Sequence, residues 1–185
     1  MMINPDLISP CGLYCGVCAV YIAHRDDNRK FKERLVSLYK GEIPGKGTLP
    51  HSESLSIDDM KCRGCLSDEP FMHCRQCEIR ACTEKKGYTG CHQCNEFPCR
   101  YVENFPMAVG KKVILRGIPY WREVGTEKWI QDEAARYICP ECGNNVFRGA
   151  VRCNQCQAKL DLDSFFCRRD NTLLQLQPIA SLIGR

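Results

Sequence analysis

The clearest periodic pattern of apolar residues follows the polar segment 26–28. Apolar side chains recur there at spacings of three and four residues, as on one face of an α-helix. Asp26, Asp27 and Asn28 are all residue types that cap helices, and Lys40-Gly41 is a stop signal. The pattern predicts a helix of about 12 residues. Its apolar positions are Phe31, Leu35, Leu38 and Tyr39.

A second apolar stripe begins after Gly125. Thr126 is the predicted N-cap, and Glu127 is favourable in the first turn. The stripe predicts a helical connector over residues 106–136 that docks on a neighbouring module. Its apolar positions are Trp129, Ile130, Ala134 and Tyr137.

Apart from these stripes the chain is poor in apolar residues and rich in cysteine, with 16 cysteines in 185 residues. When the cysteines are not counted as apolar, the apolar fraction falls from 44% to roughly 35%. No apolar run approaches the roughly 18 residues of a membrane span, and no secretory signal precedes Cys11. We therefore expect a cytoplasmic protein whose reduced thiols bind metal rather than form disulfides.

Most of the cysteines form Cys-x-x-Cys pairs, numbered here first to sixth in chain order. The two sulfurs of such a turn can reach one metal ion at about 2.3 Å, and two turns complete a tetrahedron. Six pairs predict three four-cysteine sites and about three zinc ions. The pairs are Cys15/Cys18, Cys62/Cys65, Cys74/Cys77, Cys91/Cys94, Cys139/Cys142 and Cys153/Cys156.

The fifth and sixth pairs have the spacing of a zinc ribbon, with ten residues between them. Gly143 suits the positive φ that ends a zinc knuckle, and Val146, Phe147 and Val151 are expected to form a short β-hairpin between the knuckles. We predict a structural zinc site in a β zinc ribbon over residues 137–162, and we expect Cys153→Ser to release one metal ion and unfold this segment alone. The predicted ligands are Cys139, Cys142, Cys153 and Cys156.

Eleven cysteines precede residue 100, and because eleven does not divide by four their ligand sets stay open. Proximity favours a site formed by the second and third pairs, which eight residues separate. The first pair could equally join the second. The fourth pair could join either the first pair or its neighbours Cys82 and Cys99. The candidate ligands are Cys11, Cys15, Cys18, Cys62, Cys65, Cys74, Cys77, Cys82, Cys91, Cys94 and Cys99.

The closely spaced Cys11, Cys15 and Cys18 also permit a second chemistry, because three such cysteines and a distant fourth can ligate a [4Fe-4S] cluster. The same spacing marks radical enzymes that cleave S-adenosylmethionine. Such an enzyme is not expected here, because the barrel around its cluster needs at least about 200 residues. An iron–sulfur or thiol redox protein remains the alternative to zinc. Cys167 lies outside the pairs and is expected to be a packed thiol.

The formal net charge of +4 suggests an acidic partner such as nucleic acid. Three zinc ions on twelve thiolates would change it to about −2, which weakens that argument. A nucleic-acid surface is nevertheless an alternative, with Tyr120, Trp121 and Phe147 available for stacking. No glycine-rich phosphate loop, His-Glu-x-x-His motif or nucleophile elbow occurs, so no catalytic residue is predicted. The basic residues of this surface are Lys111, Lys112, Arg116, Arg122, Arg148 and Arg152.

Four ordered motifs, with their flanking residues, resemble one prokaryotic cysteine-rich family of unknown function, catalogued as three-seven-nine-five. The resemblance covers about residues 9 to 105. It implies a self-contained cysteine-rich module, sometimes followed by a zinc ribbon, and it implies no activity. The motifs are Cys11-Gly-Leu-Tyr-Cys15-Gly-Val-Cys18, Cys62-Arg-Gly-Cys65, Cys74-Arg-Gln-Cys77 and Cys91-His-Gln-Cys94-Asn-Glu-Phe-Pro-Cys99.

These observations together predict a small metal-stabilised α+β fold. We expect a cysteine-rich zinc-knuckle module over residues 1–105, the helical connector, the β zinc ribbon and a tail over residues 163–185. The expected function is zinc binding by a structural or interaction module. An unknown protein is the expected partner, nucleic acid is the alternative, and no membrane partner is expected.

Overall fold

The computed structural model describes residues 3–43 and 48–160. The predictions for Cys167 and for the tail lie outside these residues. The described chain contains four short 3₁₀-helices, Pro5–Leu7, Cys15–Val17, Ile57–Asp59 and Cys91–Gln93. Its α-helices are α1 (Ala19–Arg25), α2 (Arg29–Tyr39), α3 (Met72–Arg75), α4 (Glu78–Lys85), α5 (Arg100–Glu103) and α6 (Ala108–Arg136).

The first predicted helix is confirmed as α2. Asn28 is its N-cap, and the side-chain oxygen of Asn28 accepts a hydrogen bond from the backbone N–H of Phe31 at 3.0 Å. Lys40 is the C-cap, and Gly41 follows with a φ of 77°, the left-handed conformation that commonly ends a helix. Leu35 is buried on the face of α2 that packs against α1.

Residues 108–136 of the predicted helical connector form the long helix α6, and the apolar stripe after Gly125 lies in its second half. Gly125, with φ 79° and ψ 170°, kinks α6. Thr126 is therefore not an N-cap, and its hydroxyl instead accepts a hydrogen bond from the indole N–H of Trp121 at 2.9 Å. The first half of α6 buries Ile114 and Ile118 completely.

The β part of the predicted α+β class is not confirmed. Residues 3–43 and 48–160 contain no β-strand, and the cysteine-rich C-terminal segment shows only two isolated bridges, Ile138 with Asn145 and Arg152 with Lys159. Each bridge closes one cysteine turn instead of joining the two turns. The expected hairpin is absent from the described residues because Val146 donates to Tyr137 and Val151 accepts from Leu160, so each valine bonds within its own knuckle.

The larger of the two hydrophobic clusters includes residues from Leu7 to Leu160 along the chain. Trp121 and Trp129 stack within it, with ring centroids 4.1 Å apart and an interplanar angle of 7°. Six buried cysteines belong to the same cluster, so thiols occupy positions that apolar side chains fill in other cores. These cysteines are Cys11, Cys15, Cys65, Cys91, Cys139 and Cys153.

Candidate metal centres

Two equivalent turns carry the last four cysteines. We call residues 137–146 the first knuckle and residues 151–160 the second. In each knuckle the N–H of the first cysteine donates to the carbonyl five residues later, at 2.8 Å from Cys139 and 2.9 Å from Cys153. The carbonyl of the same cysteine accepts from the N–H four residues later, at 3.0 Å and 3.1 Å. The two turns therefore present their thiols in the same way.

The four sulfur atoms of the knuckles converge on one point. They all lie within 4.8 Å of one another, and Cys139 Sγ lies 3.7 Å from Cys156 Sγ. Cys142 Sγ lies 3.6 Å from Cys153 Sγ. A tetrahedral ion with metal–sulfur bonds of about 2.3 Å requires sulfur–sulfur edges of about 3.8 Å. The predicted four-cysteine site is thus assembled, and its donor set fits one tetrahedral metal ion.

The local environment of Cys153 favours the thiolate, the form that binds metal. Burial opposes the charge, but N–H donors of Cys156 and Gln155 and the neighbouring thiols lower the pKa of Cys153 to about 7. The N–H of Gln155 lies 3.4 Å from the sulfur. Cys139 and Cys153 are buried, whereas Cys142 and Cys156 are exposed, so each knuckle contributes one buried and one exposed sulfur.

Cys65 is the centre of a first N-terminal group of thiols. The thiols of Cys15 and Cys74 lower the pKa of the Cys65 thiol, and Cys18 and Cys62 interact electrostatically with members of this group. The first, second and third pairs therefore lie together. The sequence left open a site of the second and third pairs and a site of the first and second pairs, and both would lie within this one group. These sulfurs form no set of three within 4.8 Å in the described chain.

The close approach of the N-terminal segment to the second pair explains the glycine between its cysteines. Gly64 has a φ of 132°, and a Cβ there would lie 2.2 Å from the carbonyl oxygen of Asp6. Burial and then the charges of Cys65 and Cys77 raise the pKa of Cys11 to about 12. Buried thiols that repel one another as thiolates are stabilised in that form by a bound cation.

Cys91 is the centre of a second N-terminal group. Burial and then the charges of Cys99, Cys94, Cys82 and Cys77 raise the pKa of Cys91 to about 12. The fourth pair thus lies within electrostatic range of Cys82 and Cys99, one of the two arrangements that the sequence left open.

Two basic residues that no sequence motif linked to a metal site contact this second group. Lys86 follows Cys82 by one helical turn, and its Nζ lies 3.6 Å from Cys94 Sγ. Arg122 donates from Nε to the carbonyl of His92 at 2.8 Å and from Nη2 to the carbonyl of Cys94 at 2.9 Å. The spacing of Lys86 from Cys82 was the only sequence signal for either residue, because the partners of Arg122 are about thirty positions away.

The predicted aromatic surface for nucleic acid is wrong in its main residues. Trp121 is fully buried, Tyr120 is 9% exposed, and Phe147 packs on Phe31 with ring centroids 4.7 Å apart. Arg148 also points inward and donates to the carbonyl of Tyr14 at 3.1 Å. Trp121 and Tyr120 are buried because α6 packs in the core, and Phe147 and Arg148 are half-buried because their loop contacts the N-terminal segment.

Comparison with family models matches residues 7–104 to the family described as "Protein of unknown function (DUF3795)". The match spans more than half of the chain. The chain belongs to the DUF3795 family. The matched region contains both N-terminal thiol groups, whereas the two knuckles and the whole of α6 lie beyond it.

No curated protein matches this DUF3795 chain, and no solved structure does. Among the helices of the described residues, none combines the length and the apolar character needed to cross a bilayer. The thiol groups are therefore the features of the chain that bear on its function.

Proposed function

We propose that this DUF3795 protein binds zinc through cysteine thiolates and that the bound metal holds its fold together. The observation that carries the proposal is the convergence of four knuckle sulfurs within 4.8 Å. Zinc has no preferred geometry of its own and accepts a tetrahedral set of four thiolates, which is the arrangement of closed structural sites. Such a site leaves no open coordination position for substrate, so its role is structural.

The two N-terminal thiol groups support a total of about three zinc ions, one in each group and one between the knuckles. Each group contains at least four cysteines. The first surrounds Cys65, and the second surrounds Cys91. Buried thiolates without a cation would repel one another, whereas zinc would neutralise half of the charge of four thiolates.

Elemental analysis and a visible spectrum of anaerobically purified protein test the proposal. We expect about three zinc ions per chain and a colourless solution. Cys153→Ser should lose about one equivalent, whereas the matched control Cys167→Ser, outside all six pairs, should keep the full content. A metal-free but folded protein would contradict the proposal.

The same spectrum separates zinc from the iron–sulfur alternative at Cys11, Cys15 and Cys18. A cluster absorbs in the visible range and colours the protein brown, and its iron content would equal its sulfide content for a [4Fe-4S] centre. Iron at the N-terminal groups together with zinc at the knuckles would replace the zinc assignment for the DUF3795 region alone.

A further inference from the structure

The loop between the two knuckles is half-buried and docks on the first cysteine pair. The backbone N–H of Arg148 donates to the carbonyl of Val17 at 2.9 Å, inside the Cys15–Cys18 turn. Phe147, beside it, packs on Phe31 of α2. A segment more than 120 residues away in sequence is therefore fixed directly on the turn that carries Cys15 and Cys18.

The guanidinium of Arg148 continues this contact. Its Nη2 donates to the carbonyl of Tyr14 at 3.1 Å, and its Cζ lies 5.8 Å from the ring centroid of Tyr137. Glu133 and Cys18 also lie within electrostatic range of the guanidinium. One positive charge is thus held in a half-buried position beside the thiols of the first N-terminal group, and it is contributed by the C-terminal segment.

The position of this loop depends on the knuckles at its two ends. Val146 donates to the carbonyl of Tyr137 at 2.8 Å, and Leu160 makes the equivalent bond to Val151 at 3.0 Å, so the loop leaves one closed knuckle and enters the other. Gly149, with a φ of 87°, reverses the chain between them. A metal ion that closes both knuckles would therefore fix the place of Arg148.

A zinc ion on four thiolates carries a net charge of about −2, and a nearby guanidinium stabilises that charge. We propose that the knuckle site and the first N-terminal thiol group bind metal cooperatively, and that Arg148 carries the coupling between them. This inference rests on the proposed zinc binding. Metal at the knuckles holds Arg148 against the Cys15–Cys18 turn, and the positive charge then raises the metal affinity of that group.

Pulsed alkylation of the full-length chain, read by peptide mass spectrometry, reports the metal protection of each cysteine separately. Free zinc is set with a chelator buffer, and the zinc concentration that half-protects Cys15 and Cys18 is measured. Coupling between sites is usually worth a factor of 5 to 150 in affinity. Arg148→Met should therefore raise this midpoint by at least about fivefold.

Arg152→Met is the matched control, because Arg152 lies on the same segment but donates only to the carbonyl of Gln157, at 3.3 Å, among its described hydrogen bonds. Its midpoint should stay within about twofold of wild type. Arg148→Lys keeps the charge and should recover at least half of the shift on a logarithmic scale. A lysine variant that shifts as far as the methionine variant would overturn the electrostatic coupling.

Cys153→Ser removes the knuckle site and should raise the Cys15 and Cys18 midpoint as far as Arg148→Met does. The double variant should add nothing further, because both changes interrupt the same coupling. Unchanged midpoints in both single variants would overturn the inference while the zinc proposal stands. Wild-type protein whose cysteines are unprotected at every zinc concentration would remove the zinc proposal, and the coupling with it.

Discussion

Gly143 and Gln157 occupy equivalent positions in the two knuckles, and both have a left-handed backbone. Each lies four residues after the first cysteine of its turn, with φ of 70° and 62° respectively. The N–H of each donates to the carbonyl of that first cysteine. The turn thus imposes a positive φ whichever residue the sequence supplies, and only the first knuckle has the glycine that adopts it without steric cost.

This relationship predicts opposite effects of two substitutions on stability. Gly143→Ala should lower the free energy of unfolding by about 1 kcal/mol, because a Cβ is unfavourable at this φ. Gln157→Gly should raise it by about 0.5 kcal/mol, since the relief of strain exceeds the entropy that glycine adds to the unfolded chain. Urea unfolding of the zinc-loaded full chain measures both values. A loss of stability in Gln157→Gly would show that the turn is not strained there.

Two glycines in the first half of α6 provide a second matched pair. A Cβ at Gly117 would lie 3.5 Å from the carbonyl oxygen of Gly12, an ordinary contact, whereas one at Gly110 would lie 2.7 Å from the ring of Phe105. Gly117→Ala should therefore stabilise the protein by up to about 1 kcal/mol through helix propensity. Gly110→Ala should gain nothing or lose stability. Equal gains in thermal unfolding of the two variants would contradict this packing.

Glu133 is 1% exposed and pairs with two arginines. Its carboxylate accepts from Arg116, and Arg136 Nε lies 3.4 Å from the same oxygen. Glu133→Gln removes the negative charge from a buried pair, so we expect the free energy of unfolding to fall by about 3 kcal/mol.

The control for Glu133→Gln is Glu33→Gln, which breaks an ion pair between Arg29 and Glu33 on the surface of α2. The side chains of that pair are 82% and 48% exposed, so its loss should cost less than about 0.5 kcal/mol. Guanidinium salts would screen these charges, and urea unfolding is therefore the suitable measurement. Similar losses in the two variants would mean that burial of Glu133 does not strengthen its pairs.

Local signals in the sequence explain which parts of the fold were predictable. Helix α2 has both a regular apolar face and its capping residue, Asn28, within a few positions. The knuckle site was equally predictable from the sequence, because two Cys-x-x-Cys turns at ribbon spacing can bring all four sulfurs to one metal ion. In these cases the residues that determine the structure are neighbours in the chain.

Contacts between distant residues explain what was missed. The first half of α6 lies within the predicted helical connector, but the apolar stripe that supported this prediction begins only after Gly125. This half contains Gly110, Gly117 and Pro119, which have low helix propensity, and it is helical because its buried face packs in the larger cluster. From the sequence we predicted Arg148 on a basic surface, because none of its neighbours in the chain indicates that it donates to the carbonyl of Tyr14. The expected hairpin was not found in the described residues because the backbones of Val146 and Val151 bond within their own knuckles.

Removal of the knuckle metal should disturb the tryptophan core as well as the knuckles. Arg148 donates to the carbonyl of Tyr14, and the ring of Tyr14 packs edge-on against Trp129, with centroids 6.1 Å apart. Cys139 and Cys153 belong to the same hydrophobic cluster as Trp121 and Trp129. The sequence alone predicted that Cys153→Ser would unfold residues 137–162 separately, whereas these contacts predict a wider effect.

We therefore expect Cys153→Ser to shift tryptophan emission to longer wavelength and to lower the urea midpoint of the whole chain. Structural zinc contributes on the order of 10 kcal/mol, so part of the lost stability should reach the continuous cluster as well as the knuckles, while the chain stays folded and keeps its N-terminal metal. Fluorescence and far-UV circular dichroism should then report one coincident transition. An unchanged tryptophan spectrum, with hydrogen exchange increased only in the two knuckles, would instead restore the independent unfolding of that segment, because it would show that the core does not depend on the knuckle metal.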